Sequence, residues 1–278
     1  MKKNAIITFS DSKYGDFLAN HWIKSLKDNV NLDNIDVVVL DYGLNKEQIN
    51  KIEEGNIKII RCKRDGKVVI IRFRDILNFL KKNKYAQVMS CDGGDIIFQK
   101  DISHLFYENK KDYRAVCEFK LPFNEWSALQ GSIDKNIILR LKKYNSKKMI
   151  NAGVVIAPRV KFMRFCRMCN TLITDKNKFG PDQIIANYLF YKEGFIELEN
   201  TYNFIPGTAN DGFLIRNGEF YYRGGEKIAI VHNAGQIKFN RVINNFGYGV
   251  NFNKLKFIRY YFFRMLILFL NKFYYKTI

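Results

Sequence analysis

The chain has 278 residues, of which 47% are hydrophobic, and it carries a formal net charge of +19 at pH 7. It is long and apolar enough to bury one large core, and it has no linker or low-complexity tract that would mark a second domain. The charge favours a polyanionic partner, either nucleic acid or an anionic membrane. Because acidic residues are interleaved with the basic ones and no recognition motif is present, we expect no nucleic-acid partner.

The first half of the chain predicts strands and helices in alternation. Strands are predicted over residues 5–9, 35–40, 57–60 and 86–90, and helices over 17–26, 45–54 and 74–82. The β-α-β-α-β order predicts an α/β fold with a mostly parallel central sheet flanked by helices. Open sheets of this kind bind their ligands at the carboxyl ends of the strands.

A turn with two carboxylates, Asp92-Gly93-Gly94-Asp95, follows the strand over residues 86–90. Carboxylates are hard oxygen ligands suited to Mg²⁺ or Mn²⁺, and such an ion can neutralise the charge on a departing nucleotide diphosphate. Glycines allow a sharp turn and a close approach to a ligand. An ordinary solvated turn is the alternative interpretation, since Asp-Gly pairs are common in turns.

The second half of the chain is more mixed. It predicts a strand over residues 152–157, helices over 160–174 and 182–192, and a strand over 227–231. His232 follows the last strand and could reach the same cleft as Asp95, where a neutral imidazole would complete a metal site. A single histidine in such a place is more often an ordinary hydrogen-bonded residue.

The cysteines and the amino terminus indicate where the protein resides. The five cysteines are odd in number and scattered, which fits reduced buried thiols in a cytoplasmic protein. The pair Cys166 and Cys169 lies in a predicted helix, so we expect it to pack in the core. The amino-terminal residues reach polar and acidic positions too early for a signal peptide.

Residues 251–278 mix basic and aromatic side chains, as is typical of a membrane headgroup interface. The uninterrupted apolar run over 265–270 is far shorter than the roughly 20 residues that a spanning helix needs. We therefore expect this segment to lie on an anionic membrane surface, on the inner face. A terminal helix that packs on the core or on a second subunit is the alternative.

Five short motifs occur along the chain in a fixed order. They are Phe9-Ser10-Asp11-Ser12-Lys13-Tyr14, Asp92-Gly93-Gly94-Asp95, Asn151-Ala152-Gly153, Asp182-Gln183, and His232-Asn233-Ala234-Gly235 through Lys238. In this order the motifs resemble GT-A-fold nucleotide-sugar transferases, most closely glycosyltransferase family 8 and the related bacterial lipopolysaccharide and surface-glycan enzymes. The resemblance implies a Rossmann-like GT-A domain, which we place over residues 1–250. The segment over 251–278, which its composition marks as membrane-associating, follows this domain.

The resemblance also implies a role for particular side chains. Asp95 and His232 would bind a divalent cation, Mn²⁺ or Mg²⁺, with Asp92 as a further ligand. The other implied roles are nucleoside binding by Ser10, Asp11 and Tyr14, diphosphate binding by Lys238, steering of Asp or phosphate oxygens by Arg74, and contact with the transferred sugar by Asn151, Asp182 and Gln183.

The sequence departs from the family pattern at two places. The family places its two carboxylates at i and i+2, whereas Asp92 and Asp95 stand at i and i+3. Either the glycine pair folds Asp92 back onto the metal, or Asp92 points away and Asp95 holds the ion with His232. Phe239-Asn240 also follows Lys238, where the family has Pro-Trp.

The implied activity is transfer of a hexose from a nucleoside diphosphate sugar, a UDP-sugar by resemblance, to a lipid-linked or surface-glycan acceptor. The resemblance further implies retention of the anomeric configuration, with Gln183 near the anomeric carbon. We expect the acceptor to contact residues 120–148. A non-catalytic nucleotide-sugar-binding protein, or a partner subunit of a glycan-assembly system, is the alternative that the altered carboxylate spacing motivates.

Overall fold

The structure is a computed structural model that describes residues 3–55, 57–118, 132–144, 147–209, 211–235 and 241–249, with five single positions between 258 and 269. Its strands are β1 (Asn4–Ser10), β2 (Ile35–Asp41), β3 (Lys58–Arg61), β4 (Gln87–Cys91), β5 (Ile96–Phe98), β6 (Tyr113–Cys117), β7 (Ile150–Pro158), β8 (Phe195–Glu197), β9 (Phe213–Arg216), β10 (Glu219–Tyr222) and β11 (Ile230–His232). Its α-helices are α1 (Ser12–Phe17), α2 (Lys24–Asn29), α3 (Lys46–Glu53), α4 (Val68–Lys82), α5 (Lys135–Leu141), α6 (Arg159–Leu172) and α7 (Pro181–Glu193). A π-helical segment, Leu18–Ile23, joins α1 to α2.

Seven strands form the central sheet, in the order β3-β2-β1-β4-β7-β6-β8. The strands β3, β2, β1 and β4 are mutually parallel, and β6 is parallel to β8. The strand β7 is antiparallel to both of its neighbours, β4 and β6. The predicted α/β fold with a mostly parallel sheet is therefore confirmed.

The core lies on both faces of this sheet. All seven residues of β1 are buried, because it is a central strand with helices on either side. Its side chains alternate between the two faces. Ala5, Ile7 and Phe9 pack in the cluster that contains residues of α4, α6 and α7, whereas Ile6 packs with Trp22 on the opposite face.

Two predicted boundaries are wrong in a way that affects the site. The helix α4 begins at Val68, six residues before the predicted start, because its buried side chains already follow helical spacing at Ile70, Ile71 and Phe73. The last strand is short, Ile230–His232, so His232 ends the strand and does not follow it.

The predicted membrane-associating segment lies mostly outside the described residues. Five of its positions are described, and each is helical and exposed: Ile258, Phe262, Met265, Leu266 and Phe269. Within the part of the chain that the structure describes, no helix combines the length and the hydropathy needed to cross a membrane.

Candidate active site

A cleft of about 700 Å³ opens at the carboxyl ends of β1 and β4. Its volume falls within the ordinary range of small-molecule sites, ~300–1,000 Å³. The two strands are parallel, so the loops that follow them reach the same edge of the sheet. The amino-terminal part of the antiparallel strand β7 lies at that edge too, and so does the start of α7. Predicted site residues from these elements, from α1 and from β11 line the cleft: Ser10, Asp11, Tyr14, Asp92, Asp95, Asn151, Asp182, Gln183 and His232.

Asp92, Asp95 and His232 form a compact group of ligand atoms at one end of the cleft. Each residue offers one atom, and these atoms lie within 4.8 Å of one another. The His232 Nε2 atom is 3.5 Å from Asp95 Oδ1 and 3.8 Å from Asp92 Oδ2. Of the two alternatives for Asp92, the turn that folds it back toward Asp95 is therefore the one observed. Two carboxylates and an imidazole are a donor set that fits Mn²⁺ or Mg²⁺.

Backbone contacts explain why the turn folds back. The amide of Asp92 donates to the carbonyl of Gly153 at 3.0 Å, and the Trp22 indole Nε1–H donates to the carbonyl of Asp92 at 3.0 Å. A side chain at Gly93 would collide with the carbonyl oxygen of Phe9. The turn is thus fixed by β7, by the π-helical segment and by the end of β1.

His232 is oriented by its second ring nitrogen. Asn203 donates through Nδ2 to Asn151 Oδ1 at 2.9 Å, which leaves Asn203 Oδ1 to accept from His232 Nδ1–H at 2.9 Å. This assignment leaves the Nε2 lone pair facing the two carboxylates, as a metal ligand requires. A Cβ at Gly153 would collide with the His232 ring, so glycine is needed at that position. No motif or spacing in the sequence points to Asn203 as a site residue.

Burial opposes protonation of His232, but the carboxylates of Asp95 and Asp92 outweigh it and raise the pKa of His232 above its ordinary value. The imidazole is therefore held close to negative charge in a water-poor place. A divalent cation would take over the role of that proton, since both are cations stabilised by the same two carboxylates.

Arg72 is a site residue that the sequence analysis missed. Its guanidinium is buried and joins two carboxylates, at 2.5 Å to Asp92 Oδ1 and 3.0 Å to Asp182 Oδ2. It also stacks over the Phe9 ring, with 4.3 Å between the guanidinium carbon and the ring centroid. Burial raises the pKa of Asp182, and the Arg72 charge acts in the opposite direction. The predicted helix began at residue 74, so Arg72 lay outside it and was not considered.

The prediction for Arg74 needs correction. Its guanidinium is engaged by Asp65, Asp75 and the carbonyl of Lys63 on the far side of α4. It is not among the described residues that line the cleft. It stands two positions after Arg72, a rotation of about 200° around a helix with 3.6 residues per turn, so the two side chains leave α4 on different sides.

A second end of the cleft is built from amides around one carboxylate, Glu118, which is linked to His232 through Asn151 and Asn203. Its Oε1 atom accepts from Asn151 Nδ2 at 2.5 Å and from Gln183 Nε2 at 3.4 Å, and its Oε2 atom accepts from Thr208 Oγ1 at 3.2 Å. Asn151 and Gln183, two of the three residues predicted to face the sugar, therefore both donate to Glu118, which the sequence analysis did not select. Glu118 directly follows β6 and belongs to no motif.

Two further arginines, Arg64 and Arg241, line the cleft. Arg64 pairs with Asp11 Oδ2 at 3.0 Å, while Asp11 Oδ1 caps α1 by accepting from the backbone amide of Lys13. Arg241 pairs with Asp95 Oδ2 at 2.9 Å. Lys238, the predicted diphosphate ligand, lies outside the described residues.

Solved structures share this fold. The galactosyltransferase LgtC, solved in complex with donor and acceptor sugar analogues, superposes with a TM-score of 0.54 at 17% identity over 84% of this chain and 87% of that one. The glycosyltransferase GlyE of Streptococcus pneumoniae TIGR4 gives a TM-score of 0.52 at 17% identity, covering 100% of this chain and 64% of that one. No family model and no curated protein matches the sequence. At these identities the comparison establishes the fold, and the predicted GT-A fold is confirmed.

Proposed function

We propose that this chain is a metal-dependent glycosyltransferase that moves a hexose from a UDP-sugar to a lipid-linked or surface-glycan acceptor. The observation that carries the proposal is the division of one cleft into a metal-ligating end, Asp92, Asp95 and His232, and an amide-rich end around Glu118. A nucleotide sugar has the same two parts, a diphosphate and a ring of hydroxyls. The shared fold with LgtC and GlyE supports this proposal.

At the metal end, Asp92, Asp95 and His232 would hold a Mn²⁺ or Mg²⁺ ion. The ion would supply charge neutralisation for the diphosphate leaving group. Arg72 fixes the direction of Asp92, because its guanidinium lies 2.5 Å from Asp92 Oδ1 in a buried place. Ser10, Asp11 and Tyr14 line the adjoining wall, and we assign the nucleoside to them.

Asn151 and Gln183 at the amide end, together with Asp182 beside Arg72, would bind the hydroxyls of the transferred sugar. Amide groups that are already held in place reject a sugar that leaves one of them without a partner, which is the physical basis of donor choice. An active-site mutant of LgtC replaces a glutamine by glutamate, and Gln183 is our candidate for the corresponding position beside the anomeric carbon. We propose retention of configuration, with the acceptor hydroxyl attacking from the face that the diphosphate leaves and the phosphate accepting its proton.

We further propose that residues 251–278 place the enzyme on the inner face of an anionic membrane. The described side chains Ile258, Phe262, Met265 and Leu266 of this segment are apolar and exposed. The basic residues of the same segment suit an anionic headgroup layer. Deletion of residues 254–278 should release the protein from vesicles that contain phosphatidylserine, and unchanged binding would place the membrane surface elsewhere.

The test of the activity is a calorimetric titration with UDP, with and without Mn²⁺, followed by an assay for slow hydrolysis of UDP-sugars. The proposal predicts UDP binding that depends on Mn²⁺ and is lost in Asp95→Ala. The matched control is Asp28→Ala, which removes an exposed carboxylate from an ion pair with Lys24 outside the cleft. Metal-dependent binding without hydrolysis of any donor would favour the non-catalytic alternative. An absence of UDP binding would contradict the proposal.

A further inference from the structure

Arg241 occupies a particular place at the metal end of the cleft. The two oxygens of Asp95 face different groups: Oδ1 lies 3.5 Å from His232 Nε2, and Oδ2 accepts from Arg241 Nη2 at 2.9 Å. The Asp95 side chain is 10% exposed and that of Arg241 is 25% exposed. Asp95, a metal ligand of the proposed site, is therefore already paired with the guanidinium of Arg241.

The rest of the Arg241 side chain is held by backbone carbonyls. Its Nε–H donates to Gly235 O at 2.9 Å, and Nη1 lies 3.4 Å from Gly94 O. The guanidinium also lies over the Tyr14 ring at 5.4 Å from the centroid. Arg241 thus links three walls of the cleft: the Asp-Gly-Gly-Asp turn, the segment after β11 and the helix α1.

A divalent cation beside Asp95 and a guanidinium on the same carboxylate repel each other. With no anion present, the arginine competes with the metal for Asp95 and weakens metal binding. A diphosphate reverses this balance, because its oxygens accept from the planar guanidinium fork while they also bind the metal.

We propose that Arg241 makes metal binding conditional on the nucleotide: it neutralises Asp95 in the empty cleft and turns to the diphosphate when metal and nucleotide enter together. This inference rests on the proposed function. It adds a diphosphate-binding residue that belongs to none of the five sequence motifs, three positions beyond Lys238.

The test measures Mn²⁺ binding by electron paramagnetic resonance of the free ion, with and without UDP, and UDP binding by calorimetry. In the wild type, UDP should raise the affinity for Mn²⁺ by a factor in the usual range for coupled ligands, roughly 5–150. By linkage, Mn²⁺ should raise the affinity for UDP by the same factor. In Arg241→Gln, Mn²⁺ alone should bind about 3–10-fold more tightly, UDP should bind about 10-fold more weakly, and the coupling should shrink.

In Arg241→Gln the affinity for Mn²⁺ should rise while the affinity for UDP falls, and these opposite changes distinguish the proposed role from a structural one. A variant that merely loosens the cleft would weaken both ligands, which would overturn the inference. Arg241→Lys keeps the positive charge but loses the paired N–H donors of the guanidinium. It should therefore retain weak Mn²⁺ binding and recover only part of the UDP affinity. The control is Arg164→Gln. It removes an exposed arginine of α6 that pairs with Glu193 of α7.

The failure of this inference is distinguishable from that of the proposed function. A wild-type protein that binds neither Mn²⁺ nor UDP would contradict both. A wild-type protein with Mn²⁺-dependent UDP binding that Arg241→Gln leaves unchanged would overturn the role of Arg241 alone.

Discussion

The two ends of the cleft differ in the kind of interaction that they offer. Around the Asp-Gly-Gly-Asp turn, three carboxylates, Asp92, Asp95 and Asp182, are interleaved with the guanidinium groups of Arg72 and Arg241. Around Glu118, neutral amides and a hydroxyl surround a single carboxylate. The first end selects by charge, and the second selects by the direction of hydrogen bonds.

One hydrogen-bonded chain connects the two ends. It runs from His232 through Asn203 to Asn151, and from there to Glu118. Asn151 therefore belongs to both regions, because its oxygen supports the histidine while its nitrogen faces the sugar end. Substitutions at the charged end should act chiefly on metal and diphosphate binding, whereas those at the amide end should act on turnover and donor choice.

The largest effect is expected at the charged end. Asp95→Ala and His232→Ala should each lower Mn²⁺-dependent hydrolysis of the donor by at least about 100-fold, since each removes a ligand of the ion that stabilises the leaving group. Circular dichroism should show an intact fold, with Asp28→Ala as the control for activity. Wild-type turnover after thorough chelation would refute the metal site.

Asp92→Ala should cost nearly as much as Asp95→Ala, because the turn folds Asp92 toward His232 and its removal also leaves the Arg72 charge buried with one partner fewer. The measurement is the Mn²⁺ affinity and the donor hydrolysis rate of both variants in parallel. A loss at Asp92 that is much smaller than the loss at Asp95 would show that Asp92 is not a ligand.

A smaller and different effect is expected at the amide end. Glu118→Gln keeps the shape of the side chain but removes the charge that accepts from Asn151, Gln183 and Thr208, so kcat should fall by about 10–100-fold, the usual cost of a supporting group. The affinity for Mn²⁺ should fall much less than kcat, because Glu118 contacts His232 only through Asn151 and Asn203. A drop in Mn²⁺ affinity as large as the drop in kcat would erase the distinction between the two ends.

The smallest effect is expected from thiol modification. Burial raises the pKa of Cys62 and of Cys117 to about 12, so at pH 8 only about one thiol in 10⁴ is ionised at either position. Treatment of the native enzyme with iodoacetamide at pH 8 should leave UDP binding intact, while all five cysteines should react after denaturation. Rapid inactivation of the native protein would contradict this expectation.

The sequence predicted the fold and most of the charged end because both depend on local patterns. Apolar runs separated by helical spacing define β1 to β4, and the carboxyl end of a parallel strand places the Asp-Gly-Gly-Asp turn. Asn45 is the first residue of the helix predicted over 45–54, and in the structure it caps α3 through a capping box with Gln48. The direction of Asp92 was left open because it depends on contacts from Trp22 and Gly153, which are distant in the sequence.

The missed residues share one physical reason. Arg72, Glu118 and Asn203 act through partners far away along the chain, such as Asp182 for Arg72 and Asn151 for Glu118. Neither composition nor spacing reveals such pairs. Arg74 was selected in place of Arg72 because the apolar run at the start of α4 was not recognised as helix.

The central claim is that Asp92, Asp95 and His232 together hold the ion that binds the diphosphate. The most direct measurement is anomalous diffraction at the manganese edge from crystals grown with Mn²⁺ and UDP. We expect one strong peak in contact with all three side chains and with the diphosphate oxygens. A UDP molecule bound in the cleft with no peak among these three residues would contradict it.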